Sequence, residues 1–327
     1  MADTPITTAT TNFDQTVTAL VLRTVEENLR DQLQWFQEGA YIPGTIVPGT
    51  NLIRHIAYGD LSVVAGTVSA GTPPWLTEGT PPEEEPLTIG YAEYGASQAG
   101  RLIGITDVAL AESPHNLMTI AAERVARNAL ATIDLNIAQT VTAGTNVVYA
   151  STATARNQLT AAMKLTGDEV RQVVAQMKKS NIPTFPDGTY RAIIHPFQTY
   201  DLQADTAGAG WVEVSKYADP GRLLTGEIGK YMGVRFIESN IGTSVIDGGA
   251  TSSDVYLATF FGPEYFAFGD LQTLSAYMVR PGGDHSDPLA QKALVGWKAM
   301  WGTKLLSITN VFPKYLRLET GGTLQLN

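Results

Sequence analysis

The chain has 327 residues, a net charge of −10 and no cysteine. Disulfides, thiolate metal sites and a cysteine nucleophile are excluded, and the acidic balance disfavours general binding to nucleic acid or to an anionic membrane. Hydrophobic residues make up 44% and charged residues 17%, a composition that buries large cores and is not that of a disordered chain.

Charge is unevenly spread. Residues 1–163 carry 7 Arg, no Lys and 16 acids, whereas residues 164–327 carry 15 basic and 16 acidic groups, so the first lysine is Lys164. The opening MADTPITTATTNFD has neither a basic n-region nor an apolar h-region, so it is no secretory signal. No run reaches the roughly 18 apolar residues of a membrane span.

The first dozen residues are polar and Thr-rich, the composition of an arm. Residues 16–38 read as a helix, with Leu22, Val25, Leu29, Leu33 and Phe36 on one stripe and Gly39 as its stop. Residues 41–50 (YIPGTIVPGT) form a Pro/Gly connector. Residues 51–107 then read as one long hairpin: a strand at 51–68, an acidic Pro-rich tip at 71–86 (GTPPWLTEGTPPEEEP) and a second strand at 87–107. An isolated two-stranded hairpin is marginal in water, and strands this long far exceed the usual five or six residues. With nothing evident in its own chain to pack on, the hairpin points to another copy of the protein.

Ser113 and Pro114 form a favoured cap and first-turn pair for a helix over 114–142. Met118, Ala122, Ala126, Leu130, Ile133, Ile137 and Val141 mark its apolar face, which reads as free of polar residues. The Thr/Ala/Asn-rich texture of 144–163 suggests a domain boundary. Thr166 and Glu169 have capping-box spacing ahead of a helix that ends near Asn181 and Pro183. Residues 190–195 read as a buried strand, 197–204 as a helix, and 234–238, 255–261, 265–268, 275–280 and 311–318 as strands. Residues 292–308 fit a helix or a strand by period alone, but Gly296 and Gly302 each cost a helix about 1 kcal/mol.

Catalytic and ligand motifs are incomplete throughout. The four histidines, His55, His115, His195 and His285, show no metal-ligand spacing, and the Asp284–Asp287 string reads equally as a solvated turn. Gly95-Ala-Ser97-Gln-Ala99 lacks the closing glycine of a nucleophile elbow. Gly226 to Tyr231 lacks the first glycine and the Ser/Thr of a phosphate loop, and Gly208-Ala-Gly210 leads to Glu213 where a dinucleotide fingerprint needs Gly. Glu83, Glu84 and Glu85 read as a solvated cluster, or as a group that meets a basic patch on a neighbour. Candidates for that patch are Lys178, Lys179, Arg222, Lys230 and Arg235.

Five strings, PWLTEGTPP (74–82), YGASQAGRLIGITD (94–107), GVRFIESN (233–240), FFGPEYFAFG (260–269) and DPLAQKALVGWKAMWG (287–302), stand in an order and spacing that resemble the major capsid proteins of tailed bacteriophages. This is the Hong Kong-type shell fold, in a branch similar to the capsid proteins of phage N-four. The resemblance spans nearly the whole chain.

It implies an α+β protein with an N-terminal arm and helix (1–49) and an extended hairpin loop (50–107). A peripheral domain with a long spine helix would take 108–144 and 291–327, and an axial α/β domain 145–290. It also favours the strand reading of 292–308. The implied function is self-assembly through hexamers and pentamers into an icosahedral shell around double-stranded DNA, with no enzymatic site, metal or cofactor. Implied partners are other copies of the chain, portal, scaffold and decoration proteins, and packaged DNA contacted only non-specifically, with no membrane. The implied location is the virion, after synthesis in the host cytoplasm.

The assembly contacts would lie at the loop tip, at Trp75, Glu78, Pro81, Pro82, Glu83, Glu84 and Glu85. Some family members weld the shell by an isopeptide bond from a loop lysine. This hairpin has no lysine, so the expectation is a shell held non-covalently. With no long helical prefix after Met1, any scaffold is expected to be a separate protein or a segment outside this sequence. The alternatives are an encapsulin-like compartment with the same fold, or a hydrolase using Ser97.

Overall fold

The computed structural model describes residues 33–37, 39–47, 49–58, 78–79, 89–205, 227–279, 281, 289, 291–306 and 314–326. Its strands are β1 (Tyr41–Pro43), β2 (Thr45–Ile46), β3 (Leu52–Tyr58), β4 (Ile89–Gly95), β5 (Ser97–Thr106), β6 (Val147–Tyr149), β7 (Tyr190–Ile194), β8 (Glu227–Tyr231), β9 (Val234–Glu238), β10 (Ser244–Val245), β11 (Val255–Phe261), β12 (Phe266–Val279), β13 (Lys292–Leu305) and β14 (Tyr315–Thr320). Its α-helices are α1 (Asp107–Glu112), α2 (Leu117–Thr142), α3 (Gly167–Lys179) and α4 (Pro196–Ala204).

Three sheets organise these elements. The first has four strands in the order β1-β12-β13-β5, the second is built on β6-β14-β11-β7-β9-β8 with β10 beside β11, and the third is β2-β3-β4. The residues at 292–308 that fitted two periods form a strand as far as Leu305, paired with β12 on one side and β5 on the other. The expected strands at 265–268 and 275–280 are one strand, β12. Its register slips between Asp270 and Gln272 and between Gln272 and Ser275. Such bulges bend a strand without ending it, so the intervening polar residues do not mark a turn.

Helix α2 ties the two larger sheets together. Ala121, Val125 and Ala129 pack on Val295, Trp297, Ala299 and Trp301 of the four-stranded sheet. Toward the other end, Ile137, Ala138 and Val141 pack on Ile193, Ile237, Phe261 and Tyr315 of the larger sheet. The side chains of Asn128 and Asn136 accept hydrogen bonds from the indole N–H groups of Trp297 and Trp301, at 3.1 and 3.2 Å. Eight residues of helix rise about 12 Å and four of strand about 13 Å. The two spacings match, so these polar pairs fix the helix in one register on β13.

Several local expectations are corrected. Ser113 does not cap α2. Its hydroxyl is engaged with the backbone of His115, and Asn116 is the cap, accepting from the Thr119 N–H at 3.3 Å. The capping box at Thr166 does not form, because Glu169 accepts from the Ser151 N–H at 2.6 Å instead. Residues 34–36, expected at the end of a helix, are bends whose N–H groups face Asp134 rather than preceding carbonyls. Residues 1–32 and 38 lie outside the described residues. The apolar face of α2 is not free of polar groups, since Asp134 is fully buried.

Pairing also runs across residues 290 and 291. Strands β12 and β13 pair along their length across that point, and β14 joins the larger sheet between β11 and β6. There Glu319, fully buried, pairs with Arg156 at 2.6 Å and with Arg317 at 3.0 Å. Arg317 also donates to the Thr142 carbonyl at the C-terminal end of α2, where a cation complements the helix dipole.

Candidate assembly surface

The hairpin root is formed by β3 and β4, paired antiparallel from Leu52 opposite Gly95 to Tyr58 opposite Ile89. It is not without a partner in its own chain. Ile53 and Tyr94 turn inward onto Ala96 and Ala267, with Leu271 and Met300 beside them. Gly44 lies so close that a Cβ there would stand 2.2 Å from Ile53 Cγ2 and 2.4 Å from Tyr94 Oη. Burial pushes the Tyr94 hydroxyl up to about 12. The Lys304 ammonium donates to the Glu93 carbonyl at 3.0 Å, anchoring β4 to β13.

The second arm is not one strand either. At Ala96, whose N–H donates to the Asn51 carbonyl at 2.9 Å, the chain leaves the small sheet. It continues as β5 on the edge of the four-stranded sheet, against β13. The two arms of the root therefore lie on the small sheet as β3 and β4, and the second continues into the four-stranded sheet as β5.

Because side chains alternate along a strand, the opposite face of the root carries Leu52, Arg54, Ile56, Ile89, Tyr91 and Glu93. Ile56 is 51% exposed, Ile89 60% and Tyr91 63%. Arg54 forms an ion pair with the directly opposite Glu93 and lies over the Tyr91 ring at 5.2 Å. An exposed pair of this kind contributes about 0–1 kcal/mol, but it holds Tyr91 in place. The result is a small, ordered apolar patch framed by one ion pair. The alternation that places it was present in the sequence, but the identity of the buried face was not.

Of the expected tip residues, Glu78 is described and exposed. Trp75, Pro81, Pro82, Glu83, Glu84 and Glu85 lie outside the described residues. Among the basic candidates, Lys178 and Lys179 are exposed in the last turn of α3, and Lys230 is exposed on β8, opposite Arg235 of β9. Arg235 is already held within the subunit by Asp187 at 2.9 Å, and Arg222 is outside the described residues.

The weak catalytic motifs resolve into structure. Ser97 begins β5 opposite Trp301, not at a strand-to-helix turn. Gly229 and Lys230 sit within β8 rather than ahead of a helix. His195 is buried as the cap of α4, its Nδ1 accepting from the Phe197 N–H at 3.2 Å, and its ring stacks on Tyr256. Among the described residues no three His, Asp or Glu side chains converge on a metal site, and no described helix is long and apolar enough to cross a membrane. The string at 284–287 lies outside the described residues.

No family model and no curated protein matches the chain. Solved structures do. The capsid of Ralstonia phage GP4 superposes with a TM-score of 0.70 at 14% identity, covering 85% of each chain. The chain has the fold of a bacteriophage capsid protein. The capsid of cyanophage Pam1 gives a TM-score of 0.64 at 15% identity, covering 88% of this chain and 90% of that one. The head of Helicobacter pylori bacteriophage KHP40 gives 0.63 at 13% identity, covering 89% and 91%. Because 85% or more of this chain is covered in each case, the likeness is to the chain as a whole and not to one motif. At such identities the likeness is one of fold.

Proposed function

We propose that this chain is the major capsid subunit of a tailed bacteriophage, of the branch similar to phage N-four. Its copies form rings of six and five that close into an icosahedral shell around double-stranded DNA. The observation that carries the reading is the hairpin root, with Ile56, Ile89 and Tyr91 more than half exposed on one face, on a chain of phage capsid fold. Ordered apolar surface of this kind is the usual mark of an interaction site. A head-to-tail contact, with the hairpin of one copy laid on the next, closes into a ring when the rotation suits.

In this reading the four-stranded sheet with the first half of α2 is the peripheral body, and the larger sheet is the axial one. The tip, with Trp75, Glu78, Pro81, Pro82 and Glu83–Glu85, reaches a neighbour, where Lys178, Lys179, Lys230 and Arg222 are the basic groups available to meet it. Without a lysine in the hairpin the contacts are non-covalent. Packaged DNA is touched non-specifically, and an acidic inner wall that repels phosphate lets it slide. Portal, scaffold and decoration proteins complete the particle, which is built in the host cytoplasm and becomes the virion.

Electron microscopy of the purified chain, with and without a candidate scaffold, tests this. Closed hollow particles are expected. A chain that stays monomeric under all such conditions would overturn the proposal.

A further inference from the structure

Asp134 is fully buried in the second half of α2, and among the described residues no cation stands beside it. Its Oδ1 accepts the Trp35 N–H at 2.8 Å, and the neighbouring N–H groups of Gln34 and Phe36 also favour its charged form. A backbone segment far away in the sequence thus closes on one side chain of α2. The segment is pinned further by the Trp35 indole, which is fully buried and donates to the Ile241 carbonyl at 2.9 Å.

Among the described residues the other carboxyl oxygen, Oδ2, is buried without a partner, and so is the hydroxyl of Tyr265. Tyr265 is the titratable group that feels the field of Asp134. Trp35 of this segment, Ile137 and Ala138 of α2 and Phe266 of β12 share one apolar cluster, and the Gln34 side-chain oxygen is also buried without a partner among the described residues. Among the described residues no Arg, Lys or His enters the field of Asp134.

Backbone N–H donors ordinarily hold a carboxylate in its charged form. Here burial outweighs those donors, and the group is raised to about 6. The burial is supplied in part by the 34–36 segment itself. With that segment lifted away, water reaches Asp134 and its affinity for a proton falls back toward that of an ordinary carboxyl.

We propose that Asp134 and residues 34–36 form a proton-linked latch, in which docking the segment on α2 takes up one proton, so that the segment is held more tightly in mild acid than at neutral pH. The sign follows from linkage. The docked state binds the proton better, so docking gains as pH falls through the docked group's range, and the gain is complete below the range of the free carboxyl. The latch would tie the segment leading into the fold to the helix that joins the two large sheets. It does not depend on shell formation and can be read on the free subunit.

Hydrogen exchange of the full-length chain tests it, with opening constants for the amides of residues 34–36 corrected for intrinsic rates and divided by those of β11 amides in the same sample. Opening should fall about tenfold from pH 7 to pH 5. In Asp134→Asn, which keeps an acceptor and cannot ionise, the same amides should show no more pH dependence than the β11 amides do. A wild-type ratio that is flat, or that rises toward pH 5, overturns the latch even if the variant fails to fold. An unchanged pH profile in a folded Asp134→Asn protein does so as well.

Discussion

Replacing Ile56 and Tyr91 together by threonine tests the hairpin face as an assembly surface. Threonine keeps the β-branched shape that strands favour and removes most of the apolar area. Full burial of a large apolar side chain is worth about 1.5–3 kcal/mol. Because 51% of Ile56 and 63% of Tyr91 remain exposed in the subunit, about half of that is left for a neighbour to cover. The two together come to about 2 kcal/mol per hairpin contact after the ordering costs of association.

Each subunit offers one hairpin, so the concentration at which particles form should rise about 30-fold. The free subunit should lose no more than about 1 kcal/mol, since the side chains are already exposed and the Arg54 contact with Tyr91 is a surface one. The assembly threshold is read by light scattering against protein concentration, and subunit stability by denaturant unfolding of unassembled protein. An unchanged threshold would refute the reasoning. A loss of several kcal/mol in the free subunit would also do so, because it would show that the face is part of the subunit's own core.

Three further outcomes are expected. Glu319→Gln leaves Arg317 buried without its charge partner and weakens the hold on Arg156; the subunit should lose about 3–5 kcal/mol in denaturant unfolding, and a loss under 1 kcal/mol would contradict the role given to this cluster. His195 is lowered to about 4 by burial, below its unfolded value, so the stability it contributes is present above about pH 6.5 and is lost as pH falls toward 4. His195→Asn, which can still cap α4, should lose about 2 kcal/mol less than wild type between pH 7 and pH 4.5, and parallel pH profiles would contradict this. Particles boiled in denaturing detergent should run as a single monomer band, and a ladder of multimers would contradict non-covalent assembly.

Local signals in the sequence located elements well where the pattern was continuous. The run at 255–261 is buried at every residue, as expected for a central strand covered on both faces, and the strand at 234–238 ends where it was expected to. The apolar period of α2 was legible, but Asp134, one of its two acids with Glu123, was not read as part of that face. Asp134 follows Leu130 by four residues, which places it on the apolar stripe. What hid its role was the partner, a backbone turn almost a hundred residues away.

Long-range pairing was not legible. Nothing in YGASQA marks the point at Ala96 where the chain passes from one sheet to another, because each side of it is a good strand and only the partners differ. The caps went astray for a related reason. Ser113 and Glu169 have the right chemistry and spacing for capping, but His115 and Ser151 compete for their side chains and win.

The account rests on the hairpin of one copy lying on the next, and a cryo-electron-microscopy reconstruction of the assembled particle tests that most directly. The account predicts a closed shell in which Ile56, Ile89 and Tyr91 of each subunit are buried against a neighbouring copy. A shell in which that face remains open to solvent would contradict it.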